Sequence, residues 1–181
     1  IIGNPPYVTF TDASLKYNVR QYSTYNTKNL FALCGERFTS LVCNNASIGY
    51  IIPLSGMSID GFESLQNIIY SNCHSWNSYY SGDRNPSELF TGVKIRAGIY
   101  ISRHQKGNGR KYVGRYIKYS AAERGILFSK INYVEIKDYI SAPKVPTTIG
   151  YSILQKIRGM NTTLANKFIP EKIIYYHAAP I

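Results

Sequence analysis

Six consecutive residues near the start of the chain, Gly3-Asn4-Pro5-Pro6-Tyr7-Val8, carry its clearest chemistry. Ile1 and Ile2 are β-formers that run into a glycine, an amide and two prolines. Proline fixes φ and cannot donate to a ladder, so a strand must end there. What remains is a stiff exit loop at a strand's carboxyl end, where open α/β sheets place ligands. It offers one primary amide, carbonyls of fixed direction and a flat ring. That set suits a planar amine. Asn4 and the Pro5 carbonyl can accept hydrogen bonds from its N–H groups, while Tyr7 stacks on its ring.

The elements that must position this loop can be read from periodicity. Leu30, Leu33, Cys34, Phe38 and Leu41 recur at spacings of three and four, which predicts an amphipathic helix. The run Ile48 to Leu54 predicts a buried strand. Ser58 or Asp60 can cap a following helix, Asp60 with Glu63 as a capping box, and Ile59, Phe62, Leu65 and Ile69 would form its buried face. A strand is expected around Trp76 to Tyr80, then a polar loop from Ser81 to Glu88. After Phe90, the residues Val93, Ile95, Ala97, Ile99 and Ile101 alternate with a period of two and predict another strand. It should run antiparallel, since no crossover helix precedes it. Tyr112–Tyr119 and Ile131–Ile136 read as further strands. Thr147 or Thr148 could cap a last helix through Ile157, ended by Gly159.

The chain has 181 residues and a formal charge of +11, from 21 Lys and Arg against 10 Asp and Glu. Excess positive charge gives affinity for phosphate backbones. Arg103, Lys106, Arg110 and Lys111 flank the loop Lys106-Gly107-Asn108-Gly109, which resembles a hairpin tip with basic flanks suited to DNA phosphates. A solvated loop kept charged for solubility is the alternative. The three cysteines form no Cys-x-x-Cys pair, so neither a disulfide framework nor a zinc site is expected, and no metal. Cys73-His74 leaves a Cys–His nucleophile as a minor possibility. No apolar run approaches the ~20 residues needed to span a bilayer, and the expected location is cytoplasmic.

Asn4-Pro5-Pro6-Tyr7 resembles the catalytic motif of S-adenosylmethionine-dependent amino-methyltransferases, above all the DNA adenine-specific enzymes of restriction–modification systems of the Taq and Eco57-like type. The resemblance implies that Asn4, Pro5, Pro6 and Tyr7 are catalytic and hold an adenine flipped out of the duplex. The helix and strand over residues 29–54 resemble the block that follows the loop in that family. Relatives usually carry a large aromatic where this chain has Cys34, near the cofactor's adenine; Asn4 and Cys34 are thus the implied cofactor neighbours. An aromatic ahead of the antiparallel strand is a second family feature, and it makes Phe90 the candidate wall opposite Tyr7. Phe90 would otherwise be a loop side chain covering the sheet edge.

The implied fold is α/β: the carboxyl half of a Rossmann-like methyltransferase sheet, mixed, with an antiparallel last strand, followed by further strands and a helix. Residues 1–140 would be that half of the catalytic domain, without the glycine-rich cofactor loop. Residues 141–181 would be a linker helix leading toward a target-recognition domain. The implied partner is double-stranded DNA, with a fused or associated nuclease and specificity domain. A methyltransferase of RNA or protein glutamine with the same motif remains open, as does a non-catalytic nucleic-acid-binding module.

Overall fold

The computed structural model describes residues 1–82, 89, 92, 94–105, 107–137 and 141–160. Ile2–Gly3 form β1, and the chain then returns through the helix α1 (Leu30–Leu41) to β2 (Ser47–Pro53). The short α2 (Ser55–Ser58) and α3 (Glu63–Ile69) lead to β3 (Cys73–Tyr80). The strands β4 (Ala97–His104), β5 (Lys111–Ile117) and β6 (Val134–Ile136) follow, and α4 (Thr148–Arg158) is the last described element. A 3-10 helix, Ala121–Lys130, connects β5 to β6.

All six strands join one mixed sheet in the order β1-β2-β4-β3-β5-β6. The strands β1 and β2 are parallel, and β4 lies antiparallel to both β2 and β3, as the missing crossover helix predicts. The result is a Rossmann-like arrangement with an antiparallel strand inserted, extended by β5 and β6. The strand β5 runs parallel to β3 and antiparallel to β6.

Tyrosine builds much of the core. Tyr50, Tyr79, Tyr80 and Tyr100 are fully buried, and the Tyr50 and Tyr100 ring centroids lie 5.0 Å apart. The main cluster joins these rings to Phe31, Ile52, Met57, Leu65 and Ile69 under the helices. A smaller one, Tyr80, Ile117, Tyr119 and Leu127 with Ile99 against it, sits by the 3-10 helix. Ala142 and Val145 enter the main cluster too, with Tyr151 and Leu154 packed against it, so that core extends past the boundary expected at residue 140.

Four local expectations are corrected. In α1 the buried residues are Phe31, Ala32, Leu33 and Gly35, while Leu41 is exposed. In β4 the expected Ala97 is buried, but beyond it the alternation is offset: Gly98, Tyr100, Ser102 and His104 are buried, whereas Ile101 is exposed and Lys94–Arg96 precede the strand. Neither Ser58 nor Asp60 caps α3, whose N-cap makes no side-chain bond. The basic loop is no hairpin, because β3 lies between β4 and β5. The chain instead crosses the start of β3 so closely that a Cβ on Gly109 would sit 1.5 Å from the Cys73 carbonyl oxygen. Thr147 does cap α4, its hydroxyl accepting the Gly150 N–H at 3.1 Å.

Candidate active site

The Asn4 loop leaves the sheet beside the carboxyl half of β2, with Gly3 paired to Tyr50. Gly3 lets α1 approach closely: a Cβ there would lie 3.1 Å from the Phe38 ring, which would have to give by a few tenths of an ångström. Pro5 is buried, while Asn4 and Pro6 are exposed. The far side of the loop is tied to the base of α1. The Leu30 N–H donates to the Val8 carbonyl and the Phe10 N–H to the Lys28 carbonyl, each at 2.9 Å. A loop with two prolines and both ends hydrogen-bonded has little freedom left to lose when it takes a ligand.

The Tyr7 hydroxyl donates to the Asn4 side-chain oxygen at 2.5 Å and lies 3.1 Å from the Ile51 carbonyl. Its ring is half-buried and packs against the main core. Burial pushes the phenol up to about 12, so it stays a donor at neutral pH. Tyr7 is therefore more than the free stacking ring foreseen from sequence: it also fixes which way Asn4 points. An amide oxygen has two lone pairs, so one remains for an incoming N–H.

The segment behind the loop is cross-braced. Asp12 pairs with Arg20 at 2.9 Å and Lys28 at 3.0 Å, and accepts from the Tyr25 hydroxyl. Glu36 of α1 accepts from the Ser23 and Thr24 N–H groups at 3.1 and 2.9 Å. Cys34, one turn before Phe38, is half-buried, and burial raises its thiol pKa, keeping it neutral. Phe90 and Lys106 lie outside the described residues.

The remaining basic candidates sit at the other end of the strands. Arg103 pairs with Ser47 at the start of β2, four residues before Ile51, or about 13 Å along the strand. Arg110 is 3.9 Å from Glu135, and its N–H donates to His74 Nδ1 at 3.1 Å. Lys111 turns inward, its ammonium 3.9 Å from the Tyr70 ring centroid, and burial lowers its pKa to about 8. These residues do not share an edge with Asn4. Cys73 and His74 form no nucleophilic pair either. The Cys73 thiol is buried and donates to the Ile69 carbonyl, and successive residues of a strand face opposite ways.

Sequence reasoning missed Lys94, Arg96 and Lys144, which gather where β2 ends and β4 begins, at the end of the sheet from which the Asn4 loop leaves. The first two alternate with the apolar residues of the predicted strand and read there as its solvent face, whereas the observed β4 begins only at Ala97. Lys144 comes from far along the chain, with no local signal. Among the described residues no three His, Cys, Asp or Glu side chains come together as metal ligands, and no helix is long and apolar enough to cross a membrane.

Residues 1–85 match the family model of the Eco57I restriction-modification methylase. No curated protein matches the chain in sequence. In fold it is similar to the DrdV–DNA complex and to a nuclease-deletion mutant of the Type ISP restriction-modification enzyme LlaGI in complex with a DNA substrate mimic. Each aligns with a TM-score of 0.59 and 16% identity over 77% of this chain. The ATP-dependent Type ISP restriction-modification enzyme LlaBIII bound to DNA aligns with a TM-score of 0.52 and 12% identity. LlaBIII too is matched over 77% of this chain, and the chain spans 17% of the first two structures and 12% of LlaBIII. The chain is thus similar in fold to restriction-modification enzymes and, over its first 85 residues, in sequence to the Eco57I methylase.

Proposed function

We propose that this chain is part of a DNA methyltransferase of a restriction–modification system, and that its reaction is methylation of the exocyclic amine of adenine. The observation that carries this reading is the Asn4 loop: a rigid amide at a strand's carboxyl end, inside the stretch that matches the methylase model.

Asn4 and the Pro5 carbonyl accept the two N–H groups of a flipped adenine, turning the nitrogen lone pair away from the ring plane. Tyr7 holds Asn4 in place from behind, and its ring and that of Phe90 flank the base. S-adenosylmethionine supplies the methyl group. Of this chain's residues, Asn4 and Cys34 would border it; the donor set described fits the amine, and no glycine-rich strand-to-helix turn is among it. With that donor bound, the new N–C bond would form as the donor's S–C bond broke, and the amine proton would pass to water. No covalent enzyme intermediate is needed, so the residues act by positioning.

Double-stranded DNA is the partner, with a nuclease and a specificity domain joined or associated. The test is methyl transfer by the intact polypeptide to DNA, with the product base identified: N6-methyladenine supports the reading, while methylation confined to RNA or protein replaces it.

A further inference from the structure

Where β2 ends and β4 begins, at the end of the sheet from which the Asn4 loop leaves, lies an open cleft of about 470 Å³. Ser55, Ser58, Lys94, Arg96 and Lys144 bring two hydroxyls and three cations to it, and no acidic residue is among its described lining. Its floor is fixed, since the Leu54 N–H donates to the Arg96 carbonyl at 2.9 Å. Lys144 is brought in from a distance. The Ala142 N–H donates to the Met57 carbonyl at 3.1 Å, Ser141 donates to Gln66, and the Lys144 ammonium donates to the Ser58 hydroxyl at 3.1 Å.

Three cations lining one cleft give it a positive field that favours an anion. The pKa of Lys144 is lowered by burial and then by the charge of Arg96, as expected of two cations in reach of each other. The place matters as well. Leu54 is three residues beyond Ile51, whose carbonyl lies 3.1 Å from the Tyr7 hydroxyl, so the cleft opens about 10 Å along the strand from the amine site. That is the reach of a few nucleotides at ~3.4 Å per step of one DNA strand.

We propose that this cleft is a phosphodiester pocket, in which Lys94, Arg96 and Lys144 with the Ser55 hydroxyl hold a phosphate of the strand carrying the target base, while Ser58, which donates to the Leu54 carbonyl at 3.0 Å, positions Lys144. The assignment rests on the methyltransferase reading above. It moves the backbone contact from Arg103, Arg110 and Lys111 at the far end of the strands to the end from which the Asn4 loop leaves.

The test is the salt dependence of DNA binding by the intact polypeptide, read by fluorescence anisotropy. Lys144→Gln and Arg96→Gln each remove one charge and should flatten the log–log salt slope by about one, while Lys144→Arg restores it. Arg103→Gln should leave the slope unchanged. Single methylphosphonate replacements near the target adenine should weaken binding of the parent at one or two positions and have no further effect on Lys144→Gln. Lys94→Gln gives the same reading should either other variant fail to fold. Slopes unchanged in all three Gln variants would overturn the pocket. Asn4→Ala separates the two claims: if it abolishes methylation while the Gln variants keep their slope, only the pocket is wrong. If Asn4→Ala leaves methylation intact, the methyltransferase reading itself fails.

Discussion

The Tyr7 hydroxyl stands 2.5 Å from the side-chain oxygen of Asn4, three residues earlier in the same loop. A tyrosine one turn of loop away thereby sets the direction of the amide on which the proposed reaction depends. The same hydroxyl lies 3.1 Å from the Ile51 carbonyl, which anchors the pair to β2. Asn4 is otherwise an exposed side chain on a short loop.

From this pairing a split between two substitutions follows. Tyr7→Phe keeps the ring and removes the bond to Asn4, so it should lower the single-turnover methylation rate several-fold with little change in DNA affinity. Tyr7→Ala also removes the stack, worth ~1–3 kcal/mol per base, and should weaken capture of the extruded adenine. Fluorescence of 2-aminopurine at the target position reads the second effect: Tyr7→Phe should keep the signal and Tyr7→Ala should lose it. Equal signals in both variants would leave Tyr7 without a role at the base.

Lys111 makes a pH-dependent contribution to stability. Its pKa falls from 10.5 to about 8 in the folded chain because burial disfavours the ammonium. Between those values the unfolded chain binds more protons than the folded one, so stability attributable to this group rises with pH. The penalty is fully present below about pH 8 and fades as pH climbs toward 10.5. Urea unfolding of the parent and Lys111→Met at pH 7 and pH 9.5 should show the parent gaining on the variant at the higher pH. A constant difference would mean that the ammonium keeps its ordinary pKa beside Tyr70.

The crossing over β3 gives a sharper structural test. Gly109→Ala would drive a Cβ into the Cys73 backbone, which cannot give way as a side chain can, and should cost about 1–3 kcal/mol or more. Gly107, in the left-handed region at φ +88° with open space around it, should lose less on the same change, from backbone strain alone. Thermal melts of the two variants compare them directly.

A fourth expectation concerns the methyl donor. Gly107-Asn108-Gly109 leads into the strand β5 rather than a helix, so it lacks the geometry that cradles a cofactor. Residues 1–181 by themselves should show no micromolar binding of S-adenosylmethionine by calorimetry. Tight binding would mean that a cradle exists where neither the sequence nor the described residues suggest one.

How much of this was legible in the sequence differs by element. The backbone of the exit loop was legible, because Pro5 and Pro6 dictate it wherever they occur, but the bond from Tyr7 to Asn4 was not. The helix α1 was placed correctly but turned, since Gly35 gives no apolar signal. In the fold it is the close approach to Leu65 and Tyr50 that counts: a Cβ on Gly35 would lie 2.9 and 3.1 Å from them. The strand β4 was found and its burial misjudged, because both faces of a central strand are covered. Ile99 packs on one side and Tyr100 on the other. The basic loop looked like a hairpin because local sequence cannot say that β3 lies between β4 and β5. The cleft was invisible for the same reason: Lys144 and Ser58 are 86 residues apart.

The central claim is that Asn4 positions an adenine amine, and one measurement tests it most directly. In the intact polypeptide, single-turnover transfer of a radiolabelled methyl group to DNA should fall about a hundredfold or more in Asn4→Ala, as when a positioned polar group is removed at a reacting centre. DNA affinity and the thermal melt should stay close to those of the parent. A transfer rate within threefold of the parent, with adenine still the methylated base, would contradict the account.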